Sequence, residues 1–541
     1  MGGKDFFLAA AINYSVSVSI AICIPSLKVY RIFKDISIVC LTFTCIYGII
    51  PMLNIFGHRR QNTVVFNCRI RCRVRSVSLF SVTGYFCFLG GFYTMDSEIF
   101  EKLPPTKLFF RLAIPSMITM AFGALYQIAD GLFVGRFIGE DALAAINLIM
   151  PIIMIVFGFA NLIATGASAR ISILLGEKKR EEASQVFTFT LKLIFLISCV
   201  VGAVGFLFAE PFVRLLSPGA TEQAIEYGIT YTRVYAAFAP LMLIYHATDN
   251  YLRVCGKEQL SMWLGIGTQA FNIVLDVILI VFLGQGVWAA AFTSCLAMAL
   301  GSVITLLLFR KKRMDLYYTN GKVEKAVFFR ILANGSSEFF SSISMSVMSI
   351  VYNFFLLKYG GTTGLAAFSV VMYVDSIIGM LVFGMCDAQQ PAISYCYGAG
   401  LMDKVKAIFR RVILGSVVLS AASLLFMLFL GQYVAPLFVK PEDTELLAVS
   451  IIGMKLFSFS YLTGWVDMCF SSYFTALEKP ARSMLTSFFG TLVFPIGALF
   501  ALTPFFALNG VWLSALVSCT ASAMFTVMLY LTMAKKKQQP L

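Results

Sequence analysis

The sequence predicts an all-α integral membrane protein: twelve transmembrane helices in two six-helix lobes related by a pseudo-two-fold axis along the membrane normal, with an atypical apolar and basic N-terminal extension. Three observations carry this. Of the 541 residues, 59% are hydrophobic and only 13% charged, against roughly 45–50% and 25% in soluble chains, which excludes a soluble enzyme with a water-facing surface. From residue 96 onward, apolar runs of about 20 residues follow one another, each long enough to cross a bilayer. The second half of that region then repeats the first.

The predicted spans fall at 108–134, 142–168, 185–209, 225–248, 259–283, 286–309, 327–357, 364–390, 405–430, 445–473, 481–503 and 508–533. The segments between them alternate in charge. One class is basic: Lys178, Lys179 and Arg180; Arg253 and Lys257; Arg310 to Arg313 with Lys322 and Lys325; Lys404, Lys406, Arg410 and Arg411; Lys479 and Arg482; and the tail Lys535 to Lys537. The other class offers only Arg136, Arg214, Lys358 and Lys440. By the positive-inside rule both ends of the twelve-span unit lie in the cytoplasm, which places the chain as a multi-pass protein of the cell inner (plasma) membrane. The formal charge of +14 is distributed over these loops rather than in one patch, so no nucleic acid is expected as a partner.

A shift of 222 positions superimposes Gly139, Leu143, Ala144 and Ala145 on Gly361, Leu365, Ala366 and Ala367, and Gly176 on Gly398. It also carries Tyr251, Lys257, Ser261 and Met262 onto Tyr473, Lys479, Ser483 and Met484. With two more residues of offset, Gly286-Val287-Trp288 meets Gly510-Val511-Trp512, and Ser294-Cys295 meets Ser518-Cys519. A self-similar period of this kind marks a duplicated architecture. Six spans per copy is an even number, so both copies enter the membrane in one orientation and are related by an axis along its normal, an arrangement found in transporters. The expected divisions are an N-lobe over 95–309, a cytoplasmic linker over 310–326, a C-lobe over 327–533 and a basic cytoplasmic tail over 534–541.

Residues 1–94 stand apart. They hold six of the thirteen Cys and ten Lys or Arg against two Asp, so they carry +8 of the +14, and they have no counterpart in the repeat. Several apolar runs separated by a basic stretch do not describe a cleaved signal peptide. The abrupt change of composition favours translation beginning at Met95 over a genuine membrane-associated extension, and the mass of the expressed protein distinguishes the two. No CxxC pair occurs and His58 and His246 are far apart, so no zinc or haem site is expected and the Cys read as small apolar residues.

Ionisable groups inside apolar spans are costly, about 2.5–3.5 kcal/mol for an Asp at a helix centre on an insertion scale, and are functional candidates by default. Asp130 in the first span and Asp276 in the fifth lie 19 and 18 residues beyond Arg111 and Glu258. At 1.5 Å per residue both sit about 27–29 Å along their helices, so they can share one depth. Asn272, four residues before Asp276, lies on the same helix face. Two carboxylates and a carboxamide around one desolvated cavity either take up a proton or supply hard oxygen ligands to a small cation such as Na⁺, as a cation-coupled transporter requires. The alternative is that one or both Asp cap helix ends at the interface.

Glu338 in the seventh span follows Gly335-Ser336-Ser337, which could loosen the helix; it reads as a second proton or substrate-cation site, or as a structural partner of Ser or Lys groups. Asp375 and Asp467 are further intramembrane acids of the second lobe, with the same substrate or proton role in view. Asp249 and Asp387 fall near span ends, where solvation accounts for them. Pro115 removes one backbone hydrogen bond inside the first span and is expected to kink it. His246, with no acidic partner evident, reads as structural; Arg233 and Lys455 read as interface anchors. Met345, Met348, Met372, Met380 and Met385 read as packing more than as an adaptable binding surface.

These residues together, with twelve spans in two like-oriented halves, Pro115 fifteen residues before Asp130, the fifth-span pair Asn272 and Asp276, and Gly139-x-x-Ala142-Leu143-Ala144-Ala145 after the first span, resemble the multidrug and toxic compound extrusion (MATE) family over residues 100–533. The resemblance implies a cation site at Asp130, Asn272 and Asp276, a seventh-span Glu at Glu338 and, in an imperfect register, a tenth-span Asp at Asp467. It implies antiport of H⁺ or Na⁺ against organic cations exported from the cytoplasm by rocking-bundle alternating access. No other cofactor and no obligate protein partner is expected; small organic cations and membrane lipids are. Two other readings are weighed against it. A lipid or lipid-linked oligosaccharide flippase of the same broader superfamily should have a basic cavity, whereas the mid-span ionisable residues here are mostly acidic. A membrane-embedded enzyme would need a nucleophile, histidine or metal cluster at membrane depth, and none is found.

Overall fold

The structure, a computed structural model, describes residues 97–216, 220–310, 314–321, 323–439 and 443–538. All of these belong to one compact unit, Phe80–Leu541. The extension 1–94 and the proposed start at Met95 lie outside the described residues.

Every regular element among the described residues is helical. The first span, Pro105–Phe133, starts with Pro105 at a position where a missing N–H costs nothing, and continues through a wide π turn, Val134–Ile138. It ends at Gly139, whose φ of 133° is open to glycine and strained for other residues. Glu140–Gly176, Arg180–Leu207, Glu222–Val254, Glu258–Asp276 with its π continuation Val277–Phe282, and Val287–Arg310 complete the first six. Glu181 and Glu182 in the first turn of the third complement its dipole, and the Thr221 hydroxyl caps the fourth by accepting from the Ala224 N–H at 3.2 Å.

The second copy opens with one long helical stretch, Lys325–Gly398, divided at Gly361 (φ 57°, ψ −155°). Gly361 is the repeat equivalent of Gly139, so both copies use a positive-φ glycine to end their first span. Met402–Leu425 with Phe426–Leu430 follows, then Thr444–Ser458 and Tyr461–Ala476, bent by 55° to one another, and Pro480–Phe488, which runs on through Phe489–Val493 into Phe494–Gln538. Phe494–Gln538 is itself divided at Ala507, where φ is 48°. Among the described residues, eight helices are individually long and apolar enough to cross a membrane. Dividing two of them at Gly361 and Ala507, counting the bent pair once and adding Glu222–Val254 accommodates the twelve spans read from the sequence.

Packing is unequal between the two ends of the bundle. At the end carrying the basic turns, one continuous core runs through both lobes, with Leu108, Ile171, Phe187, Tyr251 and Phe309 from the first and Tyr395, Phe409 and Phe474 from the second. At the opposite end the cores are separate: one around Val134, Ile149 and Ile229, others around Val371, Met454 and Trp512 and around Leu356 and Leu499. The lobes therefore share one core at the basic end and keep separate cores toward the other.

Small residues allow the close approach at the joined end. A Cβ on Gly166 would fall on the carbonyl oxygen of Ile331, and one on Gly335 on that of Leu162. Gly335 thus serves to bring the seventh span against the second; the helix is continuous around it and is not loosened. A Cβ on Gly384 would stand 3.2 Å from Ser116 O, so the first span packs closely on the other lobe one residue beyond Pro115. Such contacts replace the hydrophobic drive that lipid does not supply between helices.

Candidate functional site

The first and fifth spans pack side by side and bring Asp130, Asn272 and Asp276 to one place inside the first lobe. Asp276 is wholly buried and Asn272 is 2% exposed. The two carboxylates act on each other electrostatically. Neither Asp is a helix cap at an interface, because both helices run on through π turns beyond them. Wide turns of this kind re-aim side chains and occur often at functional sites.

The hydrogen bonds around the three residues leave oxygen atoms over. Thr293 Oγ1 donates to Asp276 Oδ1 at 2.5 Å. Asn272 Nδ2 donates to Ser294 Oγ at 3.1 Å, and Ser294 Oγ shares a hydrogen bond of 2.8 Å with the Tyr126 hydroxyl. With its NH₂ so engaged, Asn272 must present its carbonyl oxygen elsewhere. Asp130 Oδ1, Asn272 Oδ1 and Asp276 Oδ2 are all buried without a hydrogen-bond partner among the described residues, as is Gln269 Oε1 three residues before Asn272. Buried polar atoms are ordinarily satisfied, and leaving one unmet costs about 1–3 kcal/mol. A proton or a small hard cation answers that deficit, and the donor set of carboxylate and carboxamide oxygens fits either.

The repeat does not duplicate this chemistry. The positions 222 residues beyond Asp130, Asn272 and Asp276 are Tyr352, Phe494 and Ala498. The second lobe keeps its acids elsewhere and satisfies them. Asp375 Oδ1 accepts from the Tyr461 hydroxyl at 2.8 Å, just past the bend in the tenth span, and Asp467 Oδ1 accepts from Thr526 Oγ1 at 2.8 Å. Glu338 lies apart from both, partly buried on the seventh span, within electrostatic reach of Asp387. Pro115 is buried inside the helical first span, where the Thr119 hydroxyl bonds back to its carbonyl oxygen at 3.0 Å.

Asp249 and Asp387 are not explained by solvation. Arg253, itself only 5% exposed, holds Asp249 at 3.0 Å, Asp387 at 2.8 Å and Glu258 at 3.7 Å. Arg253 and Lys257 are thus buried residues and not exposed loop cations. His246 does have acidic company: Asp249 is three residues on, and both Asp249 and Asp387 act on its ring, which packs on Phe157 at 5.7 Å. Arg233 and Lys455 are exposed, as anchors would be; Met348 and Met385 are buried in packing, and Met345 is 63% exposed.

Tyr126, Gln269, Thr293 and Ser294 complete the first-lobe site and were not singled out from the sequence. The signal available was weak: Tyr126 is one helical turn before Asp130 and Gln269 two turns before Asp276, whereas Thr293 and Ser294 lie on the next span. Outside the spans, the Lys178 ammonium donates to Glu101 at 2.8 Å and to the Tyr395 hydroxyl at 3.0 Å. These bonds raise the Lys178 pKa and hold the Glu101 carboxyl below its ordinary value.

The MatE family profile matches residues 115–278 and 339–500. Multidrug export protein MepA of Staphylococcus haemolyticus (strain JCSC1435) is 24% identical over 442 residues, 81% of this chain and 95% of that protein. Multidrug export protein MepA of Staphylococcus aureus (strain MSSA476) is 25% identical over 437 residues, 80% of this chain and 95% of that protein. In fold, the chain is similar to the crystal structure of MATE in complex with MaL6, with a TM-score of 0.78 at 24% identity, covering 82% of this chain and 100% of that one.

Proposed function

Since this chain belongs to the MATE family of membrane transporters, and so is a transporter and not an enzyme, we propose that it is a secondary active multidrug efflux antiporter that exchanges H⁺ or Na⁺ for amphiphilic organic cations. The observation that carries this is the set of unmet buried oxygens on Asp130, Asn272 and Asp276, brought together from two helices of one lobe. The coupling ion binds there. Its differential affinity for two arrangements of the lobes biases one over the other, which is all that an ion can contribute to such a switch.

With the basic end facing the cytoplasm of a plasma membrane, the shared core closes the lobes inward, and their separate cores let them part outward. Ion entry from outside then favours the opposite, inward-open arrangement, in which cytoplasmic cations reach the cavity. Glu338 supplies charge to that cavity, and Phe and Met side chains supply adaptable contact. Asp375 and Asp467 are secondary sites for proton or substrate. The buried guanidinium of Arg253 is already engaged by three acids, which disfavours a flippase that must hold an anionic pyrophosphate.

Substrate uptake into inside-out vesicles under a pure pH gradient, and separately under a pure Na⁺ gradient, tests the proposal. Accumulation of a cationic dye driven by one of the two gradients is expected. Accumulation that needs neither, or that follows ATP alone, rules out the antiporter.

A further inference from the structure

The contact between Arg253 and Asp387 joins the two lobes. Arg253 ends the fourth span in the first lobe, and Asp387 lies on the eighth span in the second, 134 residues away. The pair sits at the joined end, next to the shared core. We propose that Arg253 and Asp387 form a latch across the lobes, and that a proton taken up by Asp387 releases it and lets the basic end open. This builds on the alternating-access part of the reading above and uses none of its assignments of coupling ion or substrate.

Charge counting supports a proton-labile latch. One guanidinium faces Asp249, Glu258 and Asp387, with Glu338 of the seventh span also within electrostatic reach of Asp387 and His246 of the fourth span acting on it. Cys386, beside Asp387 in sequence, and Cys469 of the tenth span, in contact with Cys386, are further titratable groups nearby. Carboxyls outnumber the guanidinium in a place poorly reached by water, and burying net charge is costly.

The geometry decides which acid can act as the switch. Arg253 and Glu258 are 5% and 4% exposed in their side chains, whereas Asp249 and Asp387 are each 21% exposed, and of these two acids Asp387 alone comes from the other lobe. Asp387 is thus the acid across the lobes that a proton can still reach. Breaking one partner from a buried ion pair ordinarily leaves an orphaned charge, a large cost. Here Asp249 and Glu258 belong to the same lobe as Arg253 and stay with it when Asp387 departs. Glu258 Oε2 is buried without a hydrogen-bond partner among the described residues and Glu258 Oε1 stands 3.7 Å from Arg253 Nε, so a released guanidinium has an acceptor waiting. Ser261 Oγ, donating to Asp249 Oδ1 at 2.5 Å, fixes the side of the cluster that does not move.

Hydrogen–deuterium exchange of the full chain in lipid nanodiscs, without substrate, tests this. In the parent protein the turns at 176–180 and 398–402 should exchange slowly above neutral pH and faster at mildly acidic pH, after correction for intrinsic exchange. Asp387→Asn, which cannot carry the charge, should exchange as fast above neutral pH as the parent does in acid and lose the pH response. Asp387→Glu keeps the ionisable carboxyl and should behave as the parent does. Parent-like protection in Asp387→Asn, or equal opening in the Glu variant, overturns the latch. Because no transport is measured, failure here is distinct from failure of the antiport assay. Asp276→Asn in the same experiment should leave the response of Asp387 in place; its loss would assign the pH response to the first-lobe site and overturn the proposal.

Discussion

Gly176 and Gly398 meet across the two lobes as mirror roles of one contact. A Cβ on Gly176 would fall on the carbonyl oxygen of Tyr395, and a Cβ on Gly398 would fall on that of Ile173. Residues 173 and 395 are themselves 222 apart, as are the two glycines. The pseudo-two-fold axis therefore passes between the second and eighth spans at the basic end, where backbone touches backbone and no side chain fits.

Gly176→Ala and Gly398→Ala should consequently behave alike. Each forces the spans apart or forfeits the closed arrangement, with overpacking on the order of 1–3 kcal/mol. Thermal unfolding in detergent and exchange at the basic end read the effect. A large effect in one variant with none in the other would contradict the reciprocal contact.

Asp276→Asn is expected to abolish efflux while the protein still inserts and reaches parental abundance, because the amide preserves volume and can still accept from Thr293. Resistance of a drug-sensitive bacterial strain, together with the amount of protein in the membrane, checks it. Undiminished resistance would sink the cation-site assignment.

Ser294→Ala removes the acceptor that turns the Asn272 carboxamide and the partner of the Tyr126 hydroxyl. Losing a buried hydrogen bond of this kind costs about 1–3 kcal/mol. The expectation is a rise of about tenfold in the ion concentration giving half-maximal efflux, with maximal rate retained, since about 1.4 kcal/mol is tenfold. A fall in maximal rate at unchanged ion dependence would assign Ser294 to another step.

Glu338→Gln should raise KM for cationic dyes more than for zwitterionic ones of similar size. Asp375→Asn should change efflux much less, because Asp375 is already satisfied by Tyr461 and an amide oxygen can accept the same bond. Equal losses in both variants would count against a special role for Glu338.

Glu101→Gln addresses the contact outside the membrane. The Glu101 carboxyl is held below its ordinary 4.5, first by its hydrogen bond and then by its charge attraction to Lys178. Its contribution is therefore present above about pH 4.5 and lost as pH falls through the lower folded value. An exposed pair of this kind is worth only about 0.2–1 kcal/mol. The difference in melting temperature between parent and variant should be small near neutrality and vanish in acid; a difference that grows in acid would reverse the sign argued here.

Asp130, Asn272 and Asp276 were legible because an acid or amide inside an apolar run is conspicuous, and helical spacing places them at a shared depth. Tyr126, Thr293 and Ser294 were not, because hydroxyls in membrane helices usually satisfy their own backbone, as Thr248 does here with Ile244 at 2.9 Å. Asp249, Arg253 and Asp387 were misread for a related reason. Their places in the sequence give a depth near a span end, which for an isolated helix means water; their neighbours on other helices make it a buried ion cluster.

The sequence by itself determined the membrane class, the order of the spans, the duplication and the few acids placed at a cost inside them. All of these follow from transfer of side chains between water and lipid, which depends on composition within one segment. The tertiary structure decided which end of the bundle is joined, which acids are left unsatisfied and that Arg253 reaches Asp387 in the other lobe. Lipid is as apolar as the helices it surrounds, so hydropathy does not say which helix faces which. That choice rests on close packing at Gly166, Gly176, Gly335 and Gly398 and on hydrogen bonds between spans, and both exist only once the helices have been brought together.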